Sequence, residues 1–202
     1  MPVDPYARLL NIMLPYHNRF RQTYATIQAT LHSPHPQSLP QRRLETLLHQ
    51  TLNLTHHLDA HHHIEESFIF PVLAVRMPQF GAGDAGDKGH VEEHRRMHAS
   101  LETLRTYARS VERLLSGSAG RKAVNDGAGQ VLPSSQQDSD DDEVEKRKDW
   151  PTAIFDSARF KALVGQLGAT LFPHLEAEET SLRPANIKAA GFTLAELARI
   201  EV

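Results

Sequence analysis

The sequence predicts an all-α protein, an antiparallel up-down four-helix bundle, on three observations. Four long segments carry apolar residues at spacings of three and four, the period of an amphipathic helix. Strand signals are weak, because aromatic and β-branched residues occur singly and no tight Asn-Gly or Asp-Gly turn joins two alternating runs. A chain of 202 residues has room for one domain, and four helices of similar length bury their stripes most economically against one another.

The first helix is expected over about 5–31, with Leu10, Leu14, His17, Phe20, Tyr24, Ile27 and Leu31 on one face. Pro15 either opens its main part or kinks it. A Pro-broken loop follows, and Pro40 opens the second helix, about 40–75, on the seam Leu44, Leu47, Thr51, Leu54, Leu58, His61, Glu65 and Phe68. Pro71 and Pro78 end or bend it, and FGAGDAGDKG forms a turn. The third helix, about 88–115, carries His94, Met97, Leu101, Leu104, Ala108, Val111 and Leu115. From 116 to 150 Gly, Ser, Gln and Asp dominate, and SSQQDSDDDEVEKRK has almost nothing to bury, so this acidic insertion is read as a disordered loop. The fourth helix, about 155–182, presents Phe160, Leu163, Leu167, Leu171, His174 and Glu178. A short helical tail occupies 184–202, with Thr193 and Glu196 forming a capping box for a last helix that runs to the end of the sequence at Val202. One domain, 1–202, accommodates all of these elements.

Composition excludes several function classes. With no cysteine the chain cannot build disulfides, Cys-ligated zinc, Cys-held iron–sulfur clusters or a thiol nucleophile, so any metal must sit on nitrogen and oxygen. A net charge of −3 gives no electrostatic reason to expect nucleic acid or an anionic membrane as partner. No apolar run reaches the roughly 18–20 residues of a spanning helix, and MPVDPYARLL lacks the basic and apolar regions of a signal peptide. A soluble, cytoplasmic protein is expected. The outlying number is thirteen histidines.

Their placement gives them meaning. An unpaired imidazole or carboxylate inside an apolar bundle costs several kcal/mol unless it is hydrogen-bonded, paired or metal-bound. In HLDAHHHIEESFIFP, His61 and Glu65 lie one turn apart and continue the Leu54, Leu58 seam. His62 and Glu66 share that spacing but align with the mostly polar row of Thr55 and Asp59, so periodicity selects His61 and Glu65. On the third helix His90, His94 and His98 follow at intervals of one turn, a spacing at which two histidines can hold one ion. His94 and His98 are favoured because they flank Met97 and Leu101, whereas His90 starts the helix after Gly89. The fourth helix offers His174 with Glu178, and Glu179 as competitor; the first offers His17. The set is therefore His17, His61, Glu65, His94, His98, His174 and Glu178. If both carboxylates bridge two octahedral ions and a solvent-derived oxo or hydroxo bridge is added, these ligands fill about eleven of about twelve positions, leaving one for a small diatomic.

These residues resemble the hemerythrin family in its fungal or bacterial HHE cation-binding branch. The resemblance covers Met13 to about Leu182 without the acidic insertion, and rests on YHNRFRQTY, HHHIEESFIFP, EHRRMH and HLEAEE. It implies a four-helix bundle around a non-haem di-iron centre that binds dioxygen, senses redox state, handles iron or responds to nitric oxide. In the second helix it fixes the register at His61 and Glu65. In the fourth the chain departs from the oxygen carriers, which place an aspartate five residues after the histidine. Here Glu178 stands at four and Glu179 at five, which leaves the second bridging carboxylate open between them. The expectation is a binding protein rather than an enzyme. An oxidase or ferroxidase would draw Glu from every helix with two Glu-x-x-His pairs, a pattern this histidine-rich set lacks. A metal-free helical interaction module is the remaining alternative.

Overall fold

The computed structural model describes residues 4–82, 89–125 and 155–200, with the backbone alone for 117–125. After a 3₁₀ turn at Pro5–Ala7, capped by Asp4, α1 spans Arg8–Leu31. Pro15 lies inside α1, and the carbonyl it leaves without a donor belongs to exposed Asn11, where water can serve it. Helix α2, Gln41–Ile64, runs without a break through a π-helical turn, Glu65–Ile69, into α3, Phe70–Ala74. Helix α4 covers His90–Asn125 and α5 covers Ser157–Ser181, the latter started by Asp156 accepting from the Arg159 N–H at 2.9 Å. Two short helices, α6 at Pro184–Ala189 and α7 at Leu194–Ala198, follow. Gly191, at φ 78°, takes the left-handed turn that closes α6. Thr193 and Glu196 form the capping box of α7. No strand occurs among the described residues, and no described helix is long and apolar enough to cross a membrane.

The four long helices pack in a closed ring: α1 on α2 and α5, and α4 on α2 and α5. Two apolar clusters sit at different heights in it. The larger takes Phe20, Tyr24, Ile27, Leu44, Leu58, Met97, Leu104, Val164, Leu167 and Leu171 among others. The smaller takes Leu9, Met13, Ile69, Phe70, Leu73, Leu182, Ile187 and Leu197. Along α1 the order is small cluster, His17, large cluster; along α2 and its continuation it is large cluster, His61 to Glu65, small cluster. Helix α4 reverses α2, and α5 reverses α4, which is the up-down antiparallel arrangement. The buried histidines and glutamates thus form a polar layer with an apolar plug on either side.

Several expected positions shift. Leu9 and Met13 are buried on α1, while Leu10 and Leu14 are half-buried. Phe68 is 56% exposed and Ile69 is buried in its place, because the π turn adds a residue and rotates the inward face. Val164 is buried and Leu163 half-buried at its edge. Helix α4 continues ten residues past Leu115, to Asn125, so the first part of the expected loop is helical. The rest of the acidic insertion, 126–150, lies outside the described residues.

Candidate metal centre

One helical turn separates His61 from Glu65 on α2 and its π turn, and one turn separates His174 from Glu178 on α5, so each pair reaches the polar layer side by side. His17 of α1 and His94 of α4 complete it. His17 Nε2 and His61 Nε2 are 3.2 Å apart, and His94 Nε2 and His174 Nε2 are 3.1 Å apart. Metal–nitrogen bonds of about 2.1 Å at right angles would set two nitrogens about 3.0 Å apart. Glu65 lies between the pairs, with Oε1 2.9 Å from His61 Nε2 and Oε2 3.5 Å from His94 Nε2. Glu178 does the same from the opposite side, with Oε2 3.4 Å from His17 Nε2 and 3.7 Å from His174 Nε2. Both carboxylates are fully buried, and none of their four oxygens has a hydrogen-bond partner.

The outward nitrogens explain why the inward ones are free. His17 Nδ1–H donates to Glu179 at 2.9 Å, His94 Nδ1–H to Glu66 at 2.7 Å and His174 Nδ1–H to Glu93 at 3.0 Å. A carboxylate can only accept, so each holds its imidazole in the tautomer that presents a bare Nε2 lone pair inward. Two such lone pairs 3.1 Å apart repel unless a cation or proton lies between them. Arg21 shares Glu179 at 2.7 Å.

Burial and charge set the protonation states. Burial draws His61 down to about 3 and His62 well below its ordinary range. It lowers His94 as well, against the hydrogen bond to Glu66. Burial, then the charge of Glu178, pushes Glu65 well above the usual carboxylate range. Burial acts upward on Glu178 too, but the approach of the His17 and His174 rings, at 3.4 and 3.7 Å, outweighs it and leaves it low. For Glu93 the hydrogen bonds from His174 and His90 overcome burial and hold it at about 2. Imidazoles held neutral at His61, His62 and His94, beside two buried carboxyl groups, are what a cation site requires.

Of the residues expected from sequence, the structure brings together His17, His61, Glu65, His94, His174 and Glu178. His98 is not among them: its side chain is 47% exposed and its Nδ1 pairs with Asp59 at 3.0 Å. It stands one position past Met97, on the α4 flank rather than the inward row of His90, His94, Met97 and Leu101. Of the two α5 carboxylates, Glu178 faces inward and Glu179 backs His17. His62, which periodicity places on a polar row, is fully buried with both ring nitrogens unpartnered and lies flat on His94, ring centroids 3.9 Å apart. Its row looked polar, yet Thr55 is buried because its hydroxyl donates to its own helix at the Leu52 carbonyl. Helix α2 packs on both α1 and α4, so its buried face is two stripes wide and takes His61 and His62 together. His90, at the start of its helix, is likewise buried, between Glu93 and Ser181. A signal for the backing carboxylates was present: H-x-x-x-E-E occurs twice, at His61–Glu66 and His174–Glu179, and each second glutamate orients an imidazole on the next helix.

Two groups of side chains could each hold an ion. His17, His61, Glu65 and Glu178 offer ligand atoms within 4.8 Å of one another, and so do His62, His94 and His174. His90, Glu93 and His174 also cluster, but through atoms already hydrogen-bonded to each other.

The family model described as hemerythrin HHE cation binding domain matches residues 8–132. That covers α1 to α4 and more than half of the chain. No curated protein and no solved structure matches. The chain belongs to the hemerythrin HHE cation-binding family, and its described residues include histidine and glutamate groups able to hold metal.

Proposed function

We propose that this member of the hemerythrin HHE family holds two iron ions in the polar layer and uses them to bind a small diatomic, dioxygen or nitric oxide. In this reading His17 and His61 would hold one ion and His62, His94 and His174 the other, with Glu65 and Glu178 supplying carboxylate oxygens between the two groups. The observation that carries it is the pair of fully buried carboxylates whose four oxygens have no partner while bare imidazole nitrogens face them. Leaving such groups unpaired would cost several kcal/mol. An iron pair bound here would supply reversible redox chemistry and room for one exogenous ligand. The chain's own part is to present neutral nitrogens, fix their rings through Glu66, Glu93 and Glu179, and exclude bulk water with the two apolar clusters.

The test is anaerobic mixing of the reduced, iron-loaded chain with dioxygen or nitric oxide, followed optically. A long-lived coloured adduct, absent from the His61→Ala variant, is the expected result. No spectral change with either gas would overturn the reading, and rapid turnover of added ferrous iron would favour a ferroxidase instead.

A further inference from the structure

The backing carboxylates follow the ring of helices in one direction. Glu66, after α2, backs His94 on α4; Glu93 on α4 backs His174 on α5; Glu179 on α5 backs His17 on α1. The fourth step, from α1 to His61 on α2, is missing. Helix α1 carries no acidic residue along its whole length. Among the described residues no carboxylate other than Glu65 comes within ion-pair distance of His61, and Glu65 meets the inward Nε2. What α1 sets against His61 instead is aromatic: Tyr16 stacks on the ring at 5.6 Å and Phe20 meets it edge-on at 5.2 Å. His61 is also the most exposed imidazole of the layer, at 7%, and Tyr16, its cover, is 53% exposed.

A carboxylate behind an imidazole fixes its orientation and raises its basicity, and losing one typically costs about 10–100-fold in metal affinity. The His94 and His174 half has both imidazoles backed, with His62 beside them. The His17 and His61 half has one, and Arg21 draws charge from that carboxylate. We propose that the two halves are unequal by construction: the His94–His174 half fills first and empties last, and the His17–His61 half is an exchange position whose ion comes and goes past Tyr16. This inference rests on the metal-binding reading above, and its test separates the two.

The full-length chain is loaded with ferrous iron under anaerobic conditions and challenged with a coloured ferrous chelator. Release is expected in two phases of similar amplitude, with rates at least about 10-fold apart. Tyr16→Ala is expected to speed the fast phase alone, and Tyr16→Phe, which keeps the ring, to leave it unchanged. Glu66→Gln and Glu93→Gln are expected to speed the slow phase alone, by about 10-fold or more. Release in one phase, or a Tyr16→Ala effect on the slow phase, would overturn the inference while leaving metal binding intact. A chain that takes up no iron overturns the metal-binding reading itself.

Discussion

Replacing Glu65 by Gln is expected to stabilise the metal-free protein and to abolish its response to metal, two effects of opposite sign from one atom exchange. Glu65 is fully buried, has no hydrogen-bond partner, and is pushed well above the usual carboxylate range by burial and by Glu178. In the unfolded chain it ionises near 4.5. The folded protein without metal must therefore keep a proton on Glu65 at a pH where the unfolded chain has lost it. That costs about 1.4 kcal/mol for each pH unit above 4.5 until the carboxyl ionises, a ceiling of about 3 kcal/mol at neutral pH. The sign follows from the raised value: the stability is intact below 4.5 and is lost as pH rises towards the folded-state value. Gln has nearly the same shape, carries no charge and donates to Glu178 or to a bare imidazole nitrogen. The gain for Glu65→Gln in chelator is about 1–3 kcal/mol at pH 7 and close to zero at pH 4.5. At about 2–4 °C per kcal/mol for a chain of this size, Tm rises by roughly 2–12 °C. Metal acts the other way, because an ion bound to the folded state at 1,000 times its Kd adds about 4 kcal/mol to the wild type, whereas the variant lacks a bridging carboxylate. Thermal scans of both chains, with chelator and with ferrous iron, at pH 4.5 and 7, check all of this. A fall in the metal-free Tm of Glu65→Gln at pH 7, or a full metal-induced rise in that variant, would refute the reasoning.

Further outcomes follow from the same geometry. His62→Ala is expected to lower metal affinity by at least about 10-fold while His98→Ala leaves it unchanged, as metal titration of the two variants will show. Gly168→Ala is expected to destabilise by about 1–3 kcal/mol in a denaturant titration, because an added Cβ would meet Tyr24 Oη at 2.2 Å and Cζ at 2.6 Å. The Tyr24 ring cannot move aside without losing the Val164 carbonyl at 3.1 Å. Acid is expected to empty the site and weaken the fold together. His61, held neutral to about 3, contributes stability that is lost as pH falls from 6.5, and Glu93, held at about 2, adds a second loss below 4.5. Bound metal and helical signal measured between pH 7 and 3 should decline in that order.

The helices and six of the inward ligand-type residues were legible because a core stripe at spacings of three and four is a strong periodic signal. From His17 onward every expected residue on α1 is buried, and so is the seam of α2 as far as Glu65. Legibility failed on the second stripe of α2, the one that meets α4. Thr55 and Asp59 made the second stripe of α2 look solvated, and His62 went with them. It failed again at the π turn, which no periodicity of 3.6 anticipates and which exchanged Phe68 for Ile69. His98 flanks Met97 and Leu101 in sequence, yet it is His90 and His94 that continue their inward row. The choice between Glu178 and Glu179 depends on the rotation of α5 against α1, and only packing sets that. Both turn out to be used, one inside the layer and one behind it.

Iron content tests the central claim most directly. Chain purified from iron-replete cells should carry about two iron ions per molecule, and the His61→Ala variant distinctly fewer. Fewer than about one ion per chain in the wild type, with the same content in the variant, would contradict the account.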